Sequence, residues 1–380
     1  MFTKMKKIKL FIQFSIEIIT IYKALRYAKN IFIFPFYHTG GAEKVHLDIV
    51  KTFPKKDNIV IFTSESYNNH FLSDFEKNAK ILHLHKYNHN YYFRKLTLKI
   101  LTLIKNQLNT TVFGCNNKFF YDILHVLPTN VKRIDLVHAF TSPDPGGMEI
   151  YSLNKVSLLD KRMVINQKTK NDFIDLYKEN KISEEYINRI KIIDLAVQTP
   201  DEKPEKNKLR SKLQVIYCGR ISKEKRVNLI VHIANLLGDL IELKIYGHKE
   251  LDVEGIDKYY QKNILNHSEL TQIYQDADIL LITSYREGFP VVIKEAMSNG
   301  VVCISTNVGS ISEHVITNEN GFIVENNDEN LITDRFVEII TNLLNNRDLL
   351  NRLSSNAYNY ASANFDLELF HQKIKNLINK

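Results

Sequence analysis

Two glutamates, Glu287 and Glu295, flank the Gly-Phe-Pro turn of YREGFPVVIKEAMSNG, residues 285–300. Each carboxylate is alone on its own element, so the pair makes a poor cage for a cation, yet both can accept hydrogen bonds from hydroxyl groups. In YCGRISKEKRV the cations Arg220 and Lys225 follow closely on an apolar run. A planar guanidinium fork beside a point-charge ammonium suits a diphosphate. His138 closes another apolar run, RIDLVHAF, where an imidazole can donate or accept a hydrogen bond. Gly40 and Gly41 in FPFYHTGGAEKV leave room for a ligand to approach the backbone, with Glu43 just beyond. Taken singly, each has a bland explanation. Glu287 can complement a helix dipole, Glu295 and the lysines can form a solvated face, Gly-Gly is a common turn, and a strand-end histidine is often a core residue.

The elements that carry these residues give them a common address. Short continuous apolar runs alternate with helical patterns: NIFIFPF, NIVIFTS, TVFG, RIDLVHAF and RMVIN in the first half, then QVIYCG, ELKIYG, DADILLITS and VVCIST in the second. Continuous rather than alternating apolar strands predict parallel sheets covered on both faces by helices, an α/β fold formed twice. A chain of 380 residues, 44% of them hydrophobic, is long enough for two such cores. Residues 194–214, DLAVQTPDEKPEKNKLRSKLQ, combine prolines with dense charge and read as a solvated linker. Ligands of doubly wound sheets bind beyond the carboxyl ends of the strands, where Arg220, Lys225, Glu287 and His138 fall. A helix is expected over 290–297, with proline in its first turn and Ile293, Ala296 and Met297 facing inward. Its N-terminus would present unpaired N–H groups to an anion.

Two other constellations look like metal sites and are better read otherwise. Asp276-Ala277-Asp278 directly precedes an apolar strand, which Asp278 is expected to cap. His83, His85 and His89 have no acidic or thiol companion nearby and read as an exposed strand end. The three cysteines, Cys115, Cys218 and Cys303, are far apart and read as reduced, buried thiols of a cytoplasmic protein. A formal charge of +8 suits an anionic partner. Neither an RNA-recognition signature nor zinc-finger spacing accompanies it, so nucleic acid is not expected. The N-terminal run from Leu10 to Leu25 is broken by Gln13, Ser15, Glu17, Thr20 and Lys23, too often for a membrane span. It reads as an amphipathic helix with Phe11, Ile18, Tyr22 and Leu25 on one face. A second cationic amphipathic helix is expected over 91–108, with Phe93, Ile100 and Ile104 opposite Lys95 and Lys99. Both suit peripheral contact with an anionic membrane.

From about residue 215 to residue 324, the segments GRISKEKRVNLIV, LKIYG, ADILLITSYREGFPVVIKEAMSNGVVCISTNVGSISEHV and NGFIV closely resemble the nucleotide-binding domain of the GT-B retaining glycosyltransferases of family 4. The E-x7-E element of Glu287 and Glu295 is its most specific part. NRLSSNAYNYASANFDLELFHQKI resembles the same family's closing helices. The resemblance implies a GT-B fold: two Rossmann-like domains facing across a cleft, an acceptor domain at 1–197 joined by a returning helix at 366–380, and a nucleotide-sugar domain at 198–365. It implies that Glu295 binds the nucleotide ribose and Glu287 a hydroxyl of the donor sugar. It further implies that Arg220 and Lys225, with N–H groups of Gly288, Phe289 and Val291, hold the diphosphate, that Gly40 and Gly41 approach the donor, and that His138 lines the cleft. Here Ala139 follows that histidine where the family often has an acid, and His248 follows Gly247 where it has a second glycine. The implied activity is sugar transfer from a nucleotide diphosphate sugar to a hydroxyl of a glycan or lipid-linked acceptor, with retention and with neither metal nor other cofactor. Its expected setting is bacterial capsule or lipopolysaccharide synthesis at the inner face of the membrane. The alternative is a non-catalytic scaffold that binds nucleotide sugar without turnover.

Overall fold

A computed structural model describes residues 12–379 apart from 13, 18, 21, 26, 88–109, 139, 141–146, 207–209, 265–266 and 327. The expected helix over 91–108 and His89 therefore lie outside the described residues, as do Phe11, Gln13 and Ile18. The chain forms two compact units, one of residues 1–194 with 371–380 and the other of residues 195–370.

The first unit is built on a seven-stranded sheet whose strands are β1 (Asn30–Phe34), β2 (Asn58–Phe62), β3 (Lys80–His83), β4 (Thr111–Cys115), β5 (Lys132–Val137), β6 (Lys161–Val164) and β7 (Ile190–Ile192). Their order is β3-β2-β1-β4-β5-β6-β7 and every pairing is parallel. β1, β2 and β4 are buried along their whole length, which is why each reads as an unbroken apolar run. Beneath β5 and β6 sits a buried ion pair. Arg162 donates from Nη2 to Asp135 Oδ2 at 2.6 Å and from Nε to both carboxylate oxygens. Its remaining donors reach Tyr177 and Ser152, while Tyr121 donates to Asp135, so nothing polar is stranded. Burial works against the guanidinium charge, but Asp135 together with Tyr177 and Tyr121 more than offsets it, and the pKa is raised. Residues 371–379 of the helix Leu367–Asn379 also belong here, with Lys132 and Lys161 donating to the carbonyls of Ile378 and Leu377. Those carbonyls lie in the last turn of a helix, where cations are favoured.

The described residues between 12 and 25 are helical, but their faces differ from the expected ones. Phe14 and Leu25 pack into the first unit's core, whereas Tyr22 is exposed. Ile12, Ile16 and Ile19 are 53%, 62% and 55% exposed, an uncovered apolar stripe at helical spacing. Among the described residues, no helix is long and apolar enough to cross a membrane.

The second unit has a six-stranded parallel sheet in the order β10-β9-β8-β11-β12-β13. Its strands are β8 (Leu213–Cys218), β9 (Ile241–Tyr246), β10 (Tyr260–Lys262), β11 (Ile279–Ile282), β12 (Val302–Thr306) and β13 (Gly321–Val324). The fold class is thus the expected α/β arrangement, two doubly wound parallel sheets. Asp278 ties the sheet's amino edge, accepting from the Gln214 N–H at 2.8 Å while its own N–H donates to the Gln214 carbonyl. The segment expected to be a solvated linker is instead stitched along this unit. Leu195 and Val197 are buried, Val197 pairs with Asp366, Tyr358 donates to the Pro200 carbonyl, and Lys206 donates to the carbonyls of Tyr274 and Gln275. Charge and proline made the stretch look solvated, but its lysines serve as caps and its few apolar residues as anchors.

Candidate functional site

In the second unit the sheet reverses its winding between β8 and β11, which is where ligands of open α/β sheets bind. The loops leaving these two strands carry the residues singled out by the sequence. After β8 the chain passes Gly219 and Arg220 into the turn Lys223–Lys225, then into the helix Val227–Leu237. Arg226, at the junction, has φ of 46°, a left-handed conformation unusual for a side-chain-bearing residue. Three bonds hold it: Nε to the Thr283 carbonyl at 2.7 Å, and Nη2 to the Ser284 carbonyl and to Asn326. Thr283 returns the contact by donating to the Lys225 and Arg226 carbonyls, and the Tyr285 N–H donates to Glu224. The two loops are thereby fastened to each other.

That fastening brings Lys225 onto Glu287, Nζ to Oε1 at 2.7 Å, with side chains only 17% and 10% exposed. Ser284 donates to the same oxygen at 2.7 Å. Glu287 is thus a fixed acceptor rather than a waving surface carboxylate. Arg220, on the other hand, is an exposed cation shared between two carboxylates, Nη2 to Glu224 at 2.7 Å and Nη1 to Glu250 at 3.0 Å. The Glu250 hydrogen bond is the main cause raising its pKa, so it keeps its charge throughout. Both cations expected to face a diphosphate are therefore paired with acids here, and an anionic ligand would have to displace or share those partners.

The helix after the turn runs Val291–Ser298 rather than 290–297, with Pro290 capping it in extended conformation. Pro290 supplies no side-chain cap; the Ile293 N–H donates to the Pro290 carbonyl, and the N–H groups of Val291 and Val292 stay available to an anion. The turn before it is shaped by close approach. Gly309, at φ +62°, could carry no Cβ, which would fall 2.1 Å from the Gly288 carbonyl; the Ser310 N–H donates to that same carbonyl. Phe289 is buried, stacked on His314, and Lys294 lies beneath it with Nζ on the Leu195 carbonyl. Glu295 accepts from the Tyr274 hydroxyl at 3.1 Å. Burial and then the Glu295 charge raise the Tyr274 pKa, so that hydroxyl keeps its proton and remains the donor. The sequence reading missed Ser284, Tyr274 and Arg226. Only Ser284, closing an apolar strand beside a carboxylate, left any sign of its role.

In the first unit, Gly40 precedes the helix Gly41–Lys51 and is covered by the Glu43 carboxylate, while the Cβ position of Gly41 meets open space. His138, just beyond β5, faces His46 of that helix, Nε2 to Nε2 at 3.4 Å. Burial lowers the pKa of both imidazoles, that of His138 to about 4, so both are neutral near pH 7. His46 lies flat on Phe34, with ring centroids 4.2 Å apart. His46 was not anticipated, since a histidine on an apolar helix face carries no signal of what it will meet. His83 and His85, expected at an exposed strand end, are half-buried, His83 against Tyr37 and Phe62. A cavity of about 630 Å³ opens at the carboxyl ends of β1, β2 and β4, lined by Thr63, Ser64, Asn116, Asn117, Lys118 and Asp122 among others. Hydroxyls, amides, one cation and one carboxylate line it beside the apolar Pro35, Phe119 and Met148.

Residues 198–360 match the family of glycosyl transferases group 1. An uncharacterized glycosyltransferase of Haemophilus influenzae is 23% identical over 346 residues, covering 85% of this chain and 92% of that protein. The capsular polysaccharide biosynthesis glycosyltransferase CapM of Staphylococcus aureus is 25% identical over 175 residues, 43% of this chain and 45% of its own. Among solved structures, Anabaena HepE in complex with UDP superposes with a TM-score of 0.69 at 15% identity, covering 92% of this chain and 99% of that one. The apo form of the lipopolysaccharide outer core galactosyltransferase WaaB does so with 0.68 at 17% identity and the same coverage. The fold is accordingly of the GT-B type.

Proposed function

We propose that this chain, which carries a group 1 glycosyl transferase domain at residues 198–360, is a retaining glycosyltransferase of family 4. On this reading the second unit binds a nucleotide diphosphate sugar and the first binds a glycan or lipid-linked acceptor. The observation that carries it is the locked Lys225–Glu287–Ser284 contact at the β8/β11 switch point, set beside Arg220 and an uncapped helix N-terminus. Glu287 accepts from a hydroxyl of the donor sugar and Glu295 from the ribose. Arg220, Lys225 and the N–H groups of Gly288, Phe289 and Val291 take the diphosphate.

Departure of the nucleotide diphosphate is the step in which charge develops. Donors fixed before reaction stabilise that charge without reorganising, the largest contribution a site of this kind can make. The acceptor hydroxyl attacks on the face the diphosphate leaves, its proton passing to the departing phosphate oxygen, and no metal ion takes part. The cavity of the first unit is where we place the acceptor, with His138 hydrogen-bonding a sugar or acceptor hydroxyl and Gly41 leaving its backbone open to a ligand. UDP in the HepE complex makes uridine diphosphate sugars the first donors to try. A role in capsule or related cell-surface polysaccharide is supported by CapM and WaaB.

Thermal stabilisation by a panel of UDP-, GDP-, ADP- and CDP-sugars should single out one nucleotide, since a ligand of the native form raises the melting point. With that donor in EDTA, slow release of free sugar and an unchanged anomeric configuration in the transfer product are expected. Inverted product would sink the retaining assignment, and binding without any sugar release would leave a non-catalytic scaffold.

We also place the enzyme at the cytoplasmic face of the membrane, held by the apolar stripe of Ile12, Ile16 and Ile19 behind the lysine-rich residues 4–9. Glutamate at all three isoleucines should abolish sedimentation with vesicles containing anionic lipid, while hydrolysis of donor in solution stays unchanged. Equal sedimentation of the triple variant and the natural chain would remove this assignment.

A further inference from the structure

Beyond sugar transfer, we infer that the first unit holds a site for a borderline-soft transition metal ion, Zn²⁺ foremost, formed by His46, His138 and Cys115. The three come from separate elements: His46 from the helix Gly41–Lys51, Cys115 from the end of β4, and His138 from just beyond β5. One ligand atom of each lies within 4.8 Å of the others. Among the described residues, no other group of three such side chains converges as closely.

The spacing of the two imidazoles is informative. Their Nε2 atoms are 3.4 Å apart, longer than a usual nitrogen hydrogen bond. Two nitrogens at about 2.0–2.1 Å from a tetrahedral zinc stand about 3.3–3.4 Å apart, the separation found here. A thiolate at about 2.3 Å from the same ion would sit roughly 3.6 Å from each nitrogen, against separations of no more than 4.8 Å here.

His46 is otherwise hard to explain. It is 1% exposed, its Nε2 meets only the Nε2 of His138, and its ring lies on Phe34 where an aliphatic side chain would pack as well. A buried polar group left with so little calls for a reason, and a ligand is one. The donor set also selects the ion. Two imidazoles and one thiolate exclude Mg²⁺ and Ca²⁺, which require oxygen, and suit Zn²⁺ or Co²⁺ with a fourth position left for water. Binding forms one sulfur–metal and two nitrogen–metal bonds and releases the thiol proton to solvent.

The binding claim rests on the first unit alone; only its consequence rests on the proposed transfer. An ion on His138 Nε2 withdraws that nitrogen from any sugar or acceptor hydroxyl, so Zn²⁺ would inhibit turnover.

Co²⁺ is the probe of choice, because a thiolate ligand gives it an intense charge-transfer band. Titrating the natural chain with Co²⁺ should produce that band with one equivalent, and Zn²⁺ should displace it. Cys115→Ser should lose the band, and His46→Gln should weaken Zn²⁺ binding by about 100-fold or more, since even outer partners of a metal site are worth 10–100-fold. Cys303→Ser, a buried thiol of the other unit, should behave as the natural chain does. Co²⁺ bound without a thiolate band, or a band that persists in Cys115→Ser, overturns the site whether or not the chain transfers sugar. Because the natural chain's spectrum already decides the first of these, misfolding of a variant cannot shelter the proposal.

Discussion

Replacing Arg220 by alanine should lower kcat on saturating donor by about 10² to 10³, the effect of deleting one preorganised donor to a developing charge. The expected loss is in kcat more than in KM, because the leaving diphosphate gains negative charge only as the bond to the sugar breaks. The structure makes this separable from a folding effect. Arg220 is 55% exposed and its partners are the surface carboxylates Glu224 and Glu250. Exposed pairs of this kind contribute roughly 0–1 kcal/mol, so the melting temperature should hardly move. Arg220→Lys should recover little, since an ammonium cannot reproduce a guanidinium fork. Near-normal steady-state turnover of Arg220→Ala would exclude the residue from the diphosphate site and leave Lys225 and the helix N-terminus to account for the charge.

Arg162→Met is expected to have the largest effect on stability, about 3–5 kcal/mol, with no direct bearing on substrate. The pair it breaks is buried on both sides, the side chains of Arg162 and Asp135 being 2% and 0% exposed. Methionine fills much of the volume but leaves the Asp135 carboxylate in a core with only the Tyr121 hydroxyl and no cation. The cost is therefore that of an uncompensated buried charge rather than the worth of the bond itself. A double variant adding Asp135→Asn should regain part of the loss, because it removes that charge while leaving an acceptor for Tyr121. Urea unfolding of both variants checks this, and a loss below about 1 kcal/mol in the single variant would mean that the carboxylate finds water or protonates at little cost.

The sheets were largely legible in the sequence, and the reason is burial. Central strands such as β1, β2, β4 and β12 are covered on both faces, so burial demands an unbroken apolar run and the run announces the strand. The edge strands β7 and β10 are three residues long and partly exposed, and neither Ile-Lys-Ile nor Tyr-Gln-Lys differs from a loop by composition. The segment after residue 194 misled for a related reason, since charge and proline describe a chain's solubility and not the carbonyls its lysines will find.

By itself the sequence determined which residues stand at the carboxyl ends of strands, because local apolar patterning sets where each strand stops. Arg220, Lys225, Glu287 and His138 could be assigned to such positions without coordinates. Partners were another matter. That Lys225 would close on Glu287 depends on Arg226 adopting a left-handed turn and bonding the carbonyls after β11, a contact across 57 residues of chain. That Tyr274 would serve Glu295, and His46 meet His138 across 92 residues, follows from strand order and helix packing alone. Pattern along the chain records what each residue must bury, whereas the pairing of polar groups is decided by which elements the sheet makes neighbours, and only the tertiary structure carries that.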